Sequence, residues 1–188
     1  VTVTGLAWRG LAVTRVAAPR WFGLHLDSLT ATRVDLALAP STGPAKAPTD
    51  LALPIELDIA ALQVGELHMA ALGTRPLRAL AARVRLGANN GAEHRIEKLA
   101  LTWDRLQAHG ELKIGTAAPL PLNAGLQLAQ AAADALPAWD ARATLVGPLA
   151  APQLQATLRA APSAGQTGRA EQSLDARATL HPFAPWPL

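Results

Sequence analysis

The chain has 188 residues, enough for one large or two small domains, and its 15 Pro and 14 Gly argue against long uninterrupted helices. Half of it is hydrophobic, yet aromatics are only 4%, charged residues only 16% and Ala alone about a fifth, so its apolar content is small and aliphatic, suited to thin layers and poor at filling a thick core. With no Cys, disulfide frameworks, thiolate nucleophiles and Cys-ligated metals are excluded, and the net charge of +3 comes from dispersed Arg, not from the basic stripe with stacking aromatics that nucleic acid requires.

The dominant local signal is alternation with period two, which puts one set of side chains on each face of a strand. Leu36 and Leu38 alternate with Asp35 and Ala37, and a Pro-rich loop follows over 40–49. Ile55, Leu57 and Ile59 alternate with Glu56 and Asp58. Leu80, Ala82, Val84 and Leu86 alternate with Ala81, Arg83 and Arg85. The stretch 87–91 reads as a hairpin connection into Leu99, Leu101 and Trp103. His109-Gly110 is a turn candidate before Leu112 and Ile114, and 115–119 is another. Leu120, Leu122, Ala124, Leu126 and Leu128 continue the pattern, as do Trp139, Ala141, Ala143 and Leu145. Gly147-Pro148 and 161–165 are further turn candidates, which brings the total to about a dozen short strands at the spacing of all-β architecture.

Ala-rich 127–136 and 75–84 also satisfy helical propensity, so one or two short helical turns are expected there, but not a bundle. Asp140-Ala141-Arg142-Ala143-Thr144-Leu145 recurs word for word 35 residues later as Asp175-Ala176-Arg177-Ala178-Thr179-Leu180, with a degenerate copy at 155–160 between them. Repeated strand units suggest an elongated sheet or solenoid, each unit burying its apolar face only against neighbours.

The polar inventory offers little chemistry. None of Ser28, Ser41, Ser163 and Ser173 lies in a nucleophile elbow, and His25, His68, His94, His109 and His181 show no metal-ligand spacing. In the run 93–97, a strand would put Glu93, Arg95 and Glu97 on one face and His94 on the other, a solvated face with cross-strand ion pairs. Glu56 and Asp58 read as an ordinary outer face, and 87–91 lacks the Lys-Ser/Thr of a phosphate loop. Neither an enzyme nor a cofactor or metal site is expected. Trp8, Trp21, Trp103, Trp139 and Trp186 read as packing residues of a thin apolar layer. No apolar run is long enough for a spanning helix.

Such strands need a cover for their apolar face. A second sheet or closed barrel is one solution, and a trough that takes lipid acyl chains is the other. Three stretches bring a family into view: Leu29-Thr30-Ala31-Thr32-Arg33-Val34-Asp35-Leu36 with Leu53-Pro54-Ile55-Glu56-Leu57-Asp58-Ile59 and Leu62-Gln63-Val64; Ile96-Glu97-Lys98-Leu99-Ala100-Leu101 with Leu106-Gln107-Ala108-His109-Gly110-Glu111-Leu112 and Pro119-Leu120-Pro121-Leu122; and Ala141-Arg142-Ala143-Thr144-Leu145-Val146-Gly147-Pro148 with Ala151-Pro152-Gln153-Leu154-Gln155-Ala156 and the run 176–183. In their order these stretches resemble the TamB (translocation and assembly module) family of the AsmA-like superfamily.

The resemblance implies an all-β, elongated, curved antiparallel sheet forming a U-shaped repeating β-groove. It implies a periplasmic part of an inner-membrane-anchored protein of a Gram-negative bacterium, with a role in outer-membrane biogenesis. That role is phospholipid passage between membranes and assembly of outer-membrane proteins with the barrel partner TamA, met through other parts of the full-length protein. The expectation is therefore one β-groove segment over 1–188, excised from a longer chain, with a sub-boundary near 131–138. The expected partners are phospholipid acyl chains, with neither nucleic acid nor metal. The expected groove lining is Leu57, Ile59, Val84, Leu86, Leu99, Leu101, Trp103, Leu112, Ile114, Leu120, Leu122, Leu126, Leu128 and Leu145. The alternative is a structural or adhesive β-repeat domain with a closed, dry core.

Overall fold

The computed structural model describes residues 1–16, 22–37, 46–133, 137–161 and 172–184. They form thirteen strands in one sheet: β1 (Thr2–Thr4), β2 (Ala7–Arg9), β3 (Ala12–Arg15), β4 (Phe22–Leu26), β5 (Ser28–Leu36), β6 (Ile55–Met69), β7 (Leu77–Ala88), β8 (Glu93–Trp103), β9 (Leu106–Gly115), β10 (Pro121–Gln130), β11 (Trp139–Pro148), β12 (Gln153–Ala160) and β13 (Gln172–Thr179). Among the described residues the one helical piece is a 3-10 turn, Ala70–Leu72.

Strands β1 to β5 form a long two-armed antiparallel ladder. Its outer arm is cut into β1, β2 and β3 at Gly5 and Gly10, both at φ 64, where a side chain would strike Thr32 or Asp27 of the facing arm. The facing arm is β4 and β5, with Val3 opposite Val34, Trp8 opposite Leu29 and Val13 opposite Leu24. Both β4 and β5 then lie parallel to β6. This parallel joint departs from the antiparallel expectation. The chain leaves β5 at Leu36 and enters β6 at Ile55, a connection long enough to carry it back to the same end of the sheet, which a hairpin turn cannot do. Most of the loop expected over 40–49 lies outside the described residues, as does most of the turn expected over 161–165.

From β6 to β13 each strand pairs antiparallel with the next. The expected hairpin at 87–91 joins β7 to β8, with Asn89 and Asn90 at positive φ. The helix expected over 75–84 is instead β7, and the described part of 127–136 begins inside β10. Ala propensity loses to pairing on both edges: each of these strands completes a ladder with two neighbours and buries one face, which an isolated short helix would not. His109-Gly110 is not a turn but the middle of β9. Gly110 is there because the neighbouring backbone comes close: a Cβ would sit 2.7 Å from the Gly125 carbonyl oxygen.

The two copies of Asp-Ala-Arg-Ala-Thr-Leu fall on β11 and β13, flanking β12. Ala143 faces Ala156, which faces Ala176, so the copies run parallel in space, slipped by two residues. The slip preserves the face of every side chain, because the strand period is two.

No second layer covers the sheet among the described residues. Substantial contacts between elements occur only between hydrogen-bonded neighbours, and β13 pairs with β12 alone, so the sheet is not closed into a barrel. The accessible surface is 12568 Å², against about 8,600 Å² for a compact monomer of this mass. Ile59, Val64, Ala82, Ala108 and Leu122 are nevertheless buried, all on one face. Burial without a covering layer, on this face and at Glu93 on the other, is consistent with an elongated, curved sheet.

Gly110 and Gly125 sit on adjacent strands, yet only Gly110 is sterically required. Gly110→Ala should destabilise the fold by about 1–3 kcal/mol through the forced backbone shift. Gly125→Ala, whose new methyl would meet nothing nearer than 3.8 Å, should be neutral or slightly stabilising. Urea denaturation of the two variants beside the parent chain checks the contrast.

Candidate functional site

The apolar face is built by register. Leu57 faces Leu86 on β7. Ile59 faces Val84, and the row continues through Ile96, Leu112, Ala124, Leu145 and Leu154 to Ala178. A second row runs Leu99, Gly110, Leu126, Ala143, Ala156, Ala176. A third runs Leu101, Ala108, Leu128, Ala141, Leu158, Leu174. Ile114 joins Leu122 at one end of the strands, and Trp103 faces Leu106 at the other. Thirteen of the fourteen expected lining residues thus share one face.

Leu120 is the exception. It lies in the turn before β10 at φ 55 and is only 3% exposed. Its N–H donates to the Ala117 carbonyl, and its own carbonyl accepts the Leu149 N–H. The alternation that seemed to include Leu120 begins only at Leu122, because a left-handed residue breaks the period of two.

Leu62, Val64, Leu154 and Leu158 share this face as well and were not among the expected residues. In β12 the signal was available: Leu154, Ala156 and Leu158 alternate with Gln153, Gln155 and Thr157. In β6 it was masked. A register shift between Ile59 and Leu62 moves the apolar positions from odd to even numbers, so one strand carries both phases.

An open depression of about 610 Å³ spans β8 to β11 and is lined mainly by residues of the opposite parity, His109, Glu111, Gln127, Arg142 and Thr144. On the apolar face Leu126 is 37% exposed. At the amino-terminal end Val3, Trp8 and Val13 extend the face onto the ladder's outer arm and remain exposed.

The reverse face is charged and paired. Asp58 lies 3.3 Å from His25 Nδ1 and 3.4 Å from an Arg83 nitrogen. Arg85 reaches Glu97 at 2.5 Å. Glu93 accepts from Arg95 and, at 2.7 Å, from Lys113. Glu93, Arg95 and Glu97 therefore share the charged face, as their spacing in a strand requires, and His94 turns the other way. His94 accepts the Gly87 N–H at Nδ1 and donates from Nε2 to the Leu51 carbonyl, a structural bridge between loop and sheet. A second band holds Arg33 with Asp35 at 2.7 Å, and His68 with Glu66 at 3.1 Å. The hydrogen bond from Arg33 holds the Asp35 carboxyl below its ordinary value, and that from His68 does the same for Glu66. Among the described residues no three His, Asp or Glu side chains are grouped to hold a metal ion.

This arrangement makes one face aliphatic and the other ionised, and the aliphatic face stays partly open to water. Comparison with protein-family models, curated proteins and solved structures finds no match.

Glu93 fixes the charged face to the folded state. Its side chain is 6% exposed, and the Lys113 hydrogen bond, then that of Arg95, holds its carboxyl below the ordinary value of 4.5. A carboxylate with a depressed folded pKa stabilises the fold above its unfolded value, and that contribution is lost as pH falls through the folded one. Glu93→Gln should therefore cost about 1–3 kcal/mol near neutral pH and flatten the loss of stability on acidification. Denaturant titrations of both proteins at about pH 7 and about pH 3 check this; an equal acid loss in the variant would contradict it.

Proposed function

We propose that this chain is a segment of a lipid-conducting β-groove, its apolar face carrying phospholipid acyl chains between membranes, as the resemblance to the TamB family implies. The observation that carries the reading is the apolar face that runs unbroken by register from β6 to β13 with no layer over it among the described residues. A single sheet with one such face leaves large apolar area in water, and a contiguous patch of that size marks a binding surface. Acyl chains are suited to cover it, since each methylene removed from water contributes about 0.8 kcal/mol and requires no directional partner. Small residues such as Ala143, Ala156 and Ala176 leave room for a chain to lie along the row. In this reading no residue does chemistry, and TamA is met by other parts of the full-length protein.

Organic extraction of the purified chain followed by mass spectrometry should recover phospholipid. A photoreactive residue at Leu101 or Leu122 should crosslink to lipid, and one at Asp58 should not. Leu126→Lys places a charge on the open part of the face and should reduce bound phospholipid about tenfold. Gln127→Lys, one residue along and on the opposite face, should leave it unchanged. Lipid-free protein, or equal loss in both variants, would refute the reading.

A further inference from the structure

The two edges of the sheet are built differently. At the amino-terminal edge Gly5 and Gly10, both at positive φ, cut the outer arm into strands of three or four residues. Short, broken strands are poor templates for another chain. At the opposite edge β13 runs for eight residues with no Gly or Pro, and its register against β12 has no shift. Among the described residues nothing pairs with its outer side. All of its residues except Ala178 are exposed, Leu174 at 62%. Its sequence can also pair along both sides. Asp-Ala-Arg-Ala-Thr recurs on β11, where it is laddered to β10 and β12 at once.

We propose that β13 pairs antiparallel with β13 of a second copy of this chain, joining two sheets edge to edge about a two-fold axis at Ala176. The charges choose both the partner and the register. Directly opposite Asp175 and Arg177, β12 offers only Thr157 and Gln155, and its one cation, Arg159, faces Asp140 of β11. With Ala176 facing its own counterpart, Asp175 of each copy faces Arg177 of the other, so the dimer closes two ion pairs. A slip by two residues one way sets Asp175 against Asp175, and the other way Arg177 against Arg177. Like charges directly opposite are destabilising. A slip by one would carry the charges onto the apolar side. The matched register places Leu174 opposite Ala178, so the apolar face continues across the junction and each exposed Leu174 gains a neighbour. A self-complementary contact of this kind closes at two copies and does not grow into a fibre. The proposal is independent of the lipid reading, since it uses the edge of the sheet and not its face.

Analytical ultracentrifugation of the 188-residue chain without lipid measures the dimer dissociation constant. Asp175→Arg alone and Arg177→Asp alone each turn both ion pairs into like-charge contacts and should weaken dimerisation about tenfold. Combining Asp175→Arg with Arg177→Asp restores opposite charges and should bring the constant back to within about threefold of the parent. Circular dichroism confirms that each variant keeps its strands, which is expected because both side chains are exposed. The register is read separately, since the chain has no Cys. Ala176→Cys should form an intermolecular disulfide on mild oxidation, because directly opposite residues lie about 4.5–5.5 Å apart. Thr179→Cys, about 20 Å from its counterpart in this register, should not. A monomer at every concentration would overturn the proposal and leave the edge to a strand of a different partner. A dimer indifferent to the single exchanges, one that the double exchange fails to restore, or equal crosslinking at both positions would also overturn it.

Discussion

Everything in this molecule depends on one constraint: a single sheet must satisfy its backbone through ladder hydrogen bonds alone, and among the described residues it has no second layer to dry its apolar face. The described strands from β6 onward meet the first requirement by pairing with both neighbours up to the free edge of β13. The second is met only in part. Curvature shelters Ile59, Val64, Ala108 and Leu122, while Leu126, Leu158 and Leu174 stay partly open. A sheet of this kind is stable along its ladder and incomplete across its face.

The two faces divide the work of specification. The charged face fixes which strands are neighbours, since Glu93 with Lys113 and Arg85 with Glu97 bridge adjacent strands. A one-residue slip would carry these charges onto the apolar side, so the same pairs hold the register of the Ile59–Ala178 row. Close backbone approaches add a second restraint: Gly65 faces the Thr32 carbonyl and Gly110 that of Gly125, where any side chain would push the strands apart. The result is an aliphatic surface whose evenness comes from interactions on its opposite side.

Much of this was legible in the sequence. Trp139, Ala141, Ala143 and Leu145 alternate without interruption, and the structure alternates with them. The hairpin at 87–91 and the split of Glu93, Arg95 and Glu97 from His94 were equally readable, because turn residues and strand parity are local properties. What was not readable depends on events between strands. The shift in β6 reverses the phase of its apolar positions, and the left-handed Leu120 removes one apparent member of a run. The parallel joint of β4 and β5 with β6 is set by where a long connection returns, which no local pattern records. Trp103, Gln130 and Trp139 likewise come onto one row only through register.

The central claim is that acyl chains lie against one face of this sheet and not the other. Paramagnetic relaxation from a phospholipid with a nitroxide near the end of its acyl chain reads this directly, residue by residue. The account predicts broadened signals for Leu126, Ala143 and Ala156, with Gln127, Thr144 and Gln155 on the reverse face retained. Equal broadening of both sets, or none in either, would contradict it.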